Sequence, residues 1–197
     1  IAHFLVFGLK SHFRRLSRNS IAFSQYQRCD SYYSLKRIVY IMADLHCTPS
    51  TLEVDYDKNL TALYKSITDQ DWSRAINFCQ KYPEQAATWV VRHYEDDESI
   101  GEDHKEIMWR FLPLHSACAR QPPASVISAL LRAYPDEAKC VDDQGMYALH
   151  YACGNQATRD VIRLLLVNFP EASTIADPRG MLPIHYVACW GPSTVSV

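Results

Sequence analysis

Leu112-Pro113-Leu114-His115-Ser116-Ala117-Cys118, Tyr147-Ala148-Leu149-His150-Tyr151-Ala152-Cys153 and Leu182-Pro183-Ile184-His185-Tyr186-Val187-Ala188 are three versions of one seven-residue phrase. Their histidines stand 35 residues apart both times. A second block follows the first two copies. Val126-Ile127-Ser128-Ala129-Leu130-Leu131 runs on to Tyr134-Pro135, and Val161-Ile162-Arg163-Leu164-Leu165-Leu166 runs on to Phe169-Pro170. Asp142 and Gly145, then Asp177 and Gly180, sit three apart with Met next in both cases. Repetition at a fixed period of this size is the mark of a stacked array.

Each unit reads as a helix pair and a turn. Pro113 and Pro183 suit the first turn of a helix, where a missing N–H costs nothing. Val-Ile-x-x-Leu-Leu puts apolar residues at i, i+1, i+4 and i+5, one stripe of an amphipathic helix. Pro135 and Pro170 stop that helix. Pro122-Pro123 and Ala157-Thr158 fall between the two helices, with Ser125 or Thr158 expected as cap. Asp-x-x-Gly is β-turn chemistry, the Gly accepting positive φ. One such pair cannot bury its stripe; stacked pairs can.

These residues resemble the ankyrin-repeat family, whose signature is Asp-x-x-Gly-x-Thr-Pro-Leu-His-x-Ala, then a helix with Val-Val and Leu-Leu, in units of about 33 residues. Residues 142–152 fit with Tyr147 in the Thr slot and Ala148 in the Pro slot. Residues 177–187 fit with Leu182 in the Thr slot and Val187 in the Ala slot. The signature His therefore lacks its usual hydroxyl neighbour. The two extra residues per unit fall in the helix–helix loop and around the Tyr-Pro or Phe-Pro stop. The resemblance is direct over 111–190. It implies an all-α solenoid of stacked helix pairs with short β-hairpin fingers, with repeats at 109–145 and 146–180 and a partial one at 181–197.

A degenerate copy extends the array upstream. Residues 71–83 carry the second-helix pattern and the same Tyr-Pro stop, and 60–67 supply the partner helix. We take 58–93 as an N-terminal repeat whose outer face is more polar, as the ends of such arrays require. The domain is expected to begin at residue 57, after a linker at 42–56. Pro83 and Pro135 are 52 residues apart, one period of 35 plus an insertion of 17. That insertion is 94–108. Its flanks are β-prone and aromatic, Trp89-Val90-Val91 and Ile107-Met108-Trp109, which predicts a long hairpin. Its tip, 95–106, holds seven acids and one Lys. The spacing fails the alternate-ligand pattern of a calcium loop, so a solvated, self-repelling tip is expected.

Composition bounds the rest. The chain has 197 residues, 48% of them hydrophobic, enough for a core. It contains no apolar run long enough for a membrane span. Residues 1–41 hold seven Lys or Arg and one acid; the remainder holds 13 basic and 21 acidic residues. An acidic body argues against nucleic-acid binding, which needs a basic face. The segment 1–41 reads as a basic leader, disordered or extraneous to the fold. An organellar presequence is the less favoured reading. Seven cysteines without a CxxC pair do not make a disulfide framework, so a reducing, intracellular setting is expected.

Chemistry is not expected of this chain. His115, His150 and His185, with Cys118, Cys153 and Cys189, nearly repeat H-x-x-C, but equivalent positions in stacked repeats lie about 10 Å apart. Zinc ligands must converge on one ion, so no metal and no cofactor is expected. No phosphate-binding or nucleophile motif is present. What remains is a surface. In ankyrin arrays the finger tips and the ends of the first helices line a concave groove for protein partners. By position, the resemblance assigns Asp143, Gln144 and Met146, then Pro178, Arg179 and Met181, to the tips. It assigns Ala119 and Arg120, Gly154 and Asn155, and Trp190 to the helix ends, with Tyr147 facing out. A monomeric adaptor or scaffold that binds an unidentified protein is the expectation. A regulatory or substrate-recruiting segment of a larger enzyme is the alternative. Met146 and Met181 have a competing reading as packing between fingers.

Overall fold

The computed structural model describes residues 52–94 and 107–190. The leader 1–41, residues 42–51 of the linker, the acidic tip 95–106 and the end of the partial repeat, 191–197, lie outside the described residues. Within them the chain forms helix pairs α1 (Ala62–Thr68) and α2 (Trp72–Lys81), α3 (Pro113–Cys118) and α4 (Ala124–Ala133), and α5 (Ala148–Gly154) and α6 (Arg159–Asn168). A single helix, α7 (Pro183–Trp190), follows. The first helices α1, α3, α5 and α7 stack in one layer, and the second helices α2, α4 and α6 stack in another. This is the expected helix-pair solenoid.

Apolar residues on facing helices build one continuous core from Leu63 to Tyr186. Val126, Ile127 and Leu130 of α4 are fully buried, each worth about 1.5–3 kcal/mol of transfer free energy. The end helix α2 buries only Ala75 and Cys79 and turns Ser73, Arg74, Asn77, Gln80 and Lys81 to solvent, the polar face anticipated for an end repeat. The aromatic-Pro stops do more than end helices. Each opens a 3-10 turn, Pro83–Ala87, Pro135–Lys139 and Pro170–Thr174.

The fold is not all-α. The flanks of the insertion pair antiparallel as β2 (Trp89–His93) and β3 (Ile107–Phe111), in register Val90↔Phe111 and Arg92↔Trp109. A further strand, β1 (Glu53–Asp55), adds parallel to β2 with Val54 opposite Val90. Residues assigned to a linker thus belong to the folded unit. Val54, Val90, Trp109 and Phe111 share the face that joins the core, so alternation drives the pairing once the hairpin exists. Ion pairs knit the edge: Arg110 Nε to Glu53 Oε2 at 3.1 Å and Arg92 Nε to Asp57 Oδ2 at 3.0 Å.

Two capping expectations also change. Ser125 lies inside α4, whose N-cap is Pro123, and Thr158 holds the N-cap of α6 without a side-chain bond. At α4 the Pro123 carbonyl accepts from Val126 N at 3.0 Å, so backbone satisfies the first turn. Asp71 does cap α2, accepting from Arg74 N at 3.1 Å.

Candidate recognition surface

Each of the two later fingers is organised by one buried aspartate. Asp142 Oδ1 accepts from Gln144 N at 2.9 Å and from Met146 N at 2.8 Å, while Oδ2 accepts from the Tyr151 hydroxyl at 2.5 Å. Asp177 repeats the arrangement with Arg179 N and Met181 N, both at 2.9 Å, and the Tyr186 hydroxyl at 2.7 Å. Gly145 and Gly180 close the turns at φ +73° and +80°. These two fingers are short, as expected; a single bridge joins Val141 to Tyr147 in the one built on Asp142. Burial raises the Asp142 carboxyl to about 7, and the Asp143 charge adds to it, against the pull of the Tyr151 hydroxyl and the two N–H groups.

The histidines do structural work. Nδ1 of His150 accepts from Tyr147 N at 3.2 Å, and Nδ1 of His185 from Leu182 N at 3.0 Å, so each ring caps its own helix through backbone without a Thr hydroxyl. His115 donates from Nε2 to the Cys140 carbonyl at 3.2 Å. Burial lowers its pKa to about 4, which keeps the ring neutral. In the degenerate repeat Tyr64 takes the His position and Thr61 caps instead, its Oγ accepting from Tyr64 N at 3.2 Å. Among the cysteines, Cys79, Cys118, Cys153 and Cys189 are free, and burial pushes the first three thiols up, Cys79 to about 12 and Cys153 to about 11.

Two of the expected contact residues move inward. Met146 and Tyr147 are buried, Met146 with its sulfur 3.9 Å from the Tyr186 hydroxyl and Tyr147 against Phe169 at 5.4 Å between ring centres. They belong to the core between fingers, where the Thr slot faces. Met181 is half-buried and packs on the same cluster. The others reach the surface in two columns. Gln144 and Arg179, equivalent tip positions, meet at 3.4 Å, Arg179 Nη2 donating to Gln144 Oε1. Asp143 Oδ1 accepts from Arg110 N at 2.9 Å, tying the Asp142 finger to β3. Pro178 is exposed beside Arg179.

Arg120, Asn155 and Trp190 form the second column, one repeat apart at the ends of the first helices and all half-buried. Arg120 donates from Nη1 to Ser116 O at 2.6 Å and Oγ at 2.7 Å; Asn155 donates from Nδ2 to Tyr151 O at 2.8 Å. Trp190 leans on Tyr186 at 5.3 Å. Sequence reasoning missed the residue beside this column. Gln70, Gln121 and Gln156 occupy the three interhelical turns at φ between 53° and 58°, a left-handed conformation unusual for a side chain. Gln156 also donates from Nε2 to Trp190 O at 2.9 Å. Its signal was a Gln in the same slot of every turn.

A family model described as ankyrin repeats (3 copies) matches residues 113–196. No curated protein matches the chain.

Proposed function

Because residues 113–196 match a family model described as ankyrin repeats (3 copies), we propose that this chain is an ankyrin-repeat protein and acts as a non-catalytic adaptor or scaffold. Ankyrin repeats are generally protein–protein interaction modules; here the partner would sit against the finger tips and first-helix ends. The observation that carries this reading is the pair of in-register columns, Gln144 and Arg179 at the tips, Arg120, Asn155 and Trp190 at the helix ends. At the tips, Gln144 and Arg179 stand on backbone N–H groups bonded to buried Asp142 and Asp177. Such a surface is pre-organised, so little conformational entropy is lost when it is covered.

The test is capture by the whole chain and by a triple variant, Arg120→Ala, Asn155→Ala and Arg179→Ala. An outer-helix variant, Arg132→Ala with Arg163→Ala, serves as control. A partner kept by the control and lost by the triple variant supports the groove. Equal retention by both variants overturns it. A monomer inside the cell belongs to the same proposal. Sedimentation at twice the chain mass, or a tagged full chain found in the secretory pathway, would overturn the respective part.

A further inference from the structure

We infer that Glu137 is a proton-dependent latch: uncharged, it holds the 3-10 turn Pro135–Lys139 onto the first turn of α3, and ionised it releases that turn. Glu137 is fully buried. Its Oε1 accepts from Leu114 N at 2.6 Å, while Oε2 has no hydrogen-bond partner among the described residues. The preceding repeat performs the same task with a neutral amide. Gln85, two residues after its own turn-opening Pro83, accepts through Oε1 from Leu63 N at 2.9 Å. Leu63 and Leu114 are equivalent second residues of α1 and α3, so one bond is made twice, by Gln and by Glu. In the third repeat the position is Ala172, and no such bond exists there.

The surroundings offer no compensation for a negative charge. From α2 and α3 the groups facing Glu137 are the Cys79 and Cys118 thiols, both buried. Asp136 and Lys139 of the same turn pair with each other at 2.6 Å. Arg132 of α4 and Arg159, Asp160 and Arg163 of α6 are exposed side chains, with Arg163 paired to Asp160 at 3.8 Å. An isolated buried carboxylate is strongly disfavoured, and the group neutralises instead. Burial accordingly pushes this carboxyl well above the usual range, and only the Leu114 N–H pulls it down. Its stabilising contribution is therefore complete at acid pH and is lost as pH rises through the folded value.

The two Leu amides provide an internal comparison. Native-state hydrogen exchange of the full chain would follow Leu114 against Leu63 from pH 5 upward to pH 10. The ratio cancels the intrinsic pH dependence of exchange. Between the ordinary carboxyl value of 4.5 and the raised folded value, Leu114 should lose about tenfold in protection relative to Leu63 for each pH unit, and the ratio should level off above it. Glu137→Gln should hold the ratio flat. Gln85→Glu, made in that background, should bring a weaker pH dependence to Leu63, because position 85 is only half-buried. A flat ratio in the parent chain, or the same fall in Glu137→Gln, overturns the latch. Should Glu137→Gln not fold, the parent chain alone decides: the absence of any pH-dependent loss at Leu114 relative to Leu63 sinks the idea.

Discussion

The first finger and the two that follow solve one problem by different means. Each must project from the helix stack and still be anchored to it. The first uses a sheet: β2 and β3 pair across a ladder, β1 adds a third strand, and the anchoring is spread over backbone bonds and a half-apolar face. The later fingers are too short for a ladder and anchor through one buried carboxylate each, Asp142 or Asp177, bonded to two backbone N–H groups and a tyrosine of the following helix. Where later repeats have Asp and Tyr, the first has Ile107 and Ser116, and Ser116 serves Arg120 instead. Distributed anchoring tolerates loss of any one group. A concentrated anchor does not.

Removing the concentrated anchor gives the largest effect. Asp142→Ala strands the buried Met146 N–H, the part-buried Gln144 N–H and the buried Tyr151 hydroxyl, and should cost about 3 kcal/mol in urea unfolding. Ser116→Ala should cost about 1 kcal/mol, since Arg120 keeps its bond to the Ser116 carbonyl. Equal losses would erase the contrast between the fingers.

Changing pH probes the same carboxylate. The folded pKa of Asp142, about 7, lies above the ordinary 3.8. A raised folded value means that stability is complete below the unfolded pKa and declines as pH rises across roughly 4 to 7. Parent chain and Asp142→Asn should diverge progressively through that window, the parent weakening at higher pH. Parallel stability curves would show that the three donors keep the carboxylate charged throughout. The first finger, with Ile107 in the Asp position, has no such group to titrate.

The smallest effect sharpens the comparison at the turns all repeats share. Gln121→Gly relieves a left-handed φ of 53°. Set against the greater freedom of Gly in the unfolded chain, it should raise stability by about 0.5 kcal/mol. Gln156→Gly should gain less or nothing, because Gln156 also bonds Trp190. A thermal melt of both variants decides the order.

Periodic features were legible before the structure. The 35-residue spacing of His115, His150 and His185 located α3, α5 and α7, and the Val-Ile and Leu-Leu blocks located α4 and α6, because helix stripes and stops are written in residue order. Strand β1 was not legible. Three residues without a repeat partner become a strand only because β2 already offers an edge. The inward turn of Tyr147 was missed for a related reason: a Thr slot filled by a large ring is resolved by Phe169, twenty-two residues on, not by its neighbours. The Asp–Tyr pairs lay in plain view nine residues apart, and only the buried geometry joins them.

The identical bonding of the second and third fingers bears on how such a chain can lengthen. Asp142 reaches Tyr151 and Asp177 reaches Tyr186 within nine residues, while His150 and His185 cap their own helices. Both carboxylate anchors and both histidine caps are thus internal to a segment shorter than one period. A duplication of 35 residues cut at any of the exposed interhelical turns would carry its own fastenings with it. The heritable unit of growth is the period itself, and a gene gaining or losing one would leave each remaining finger as firmly set as before.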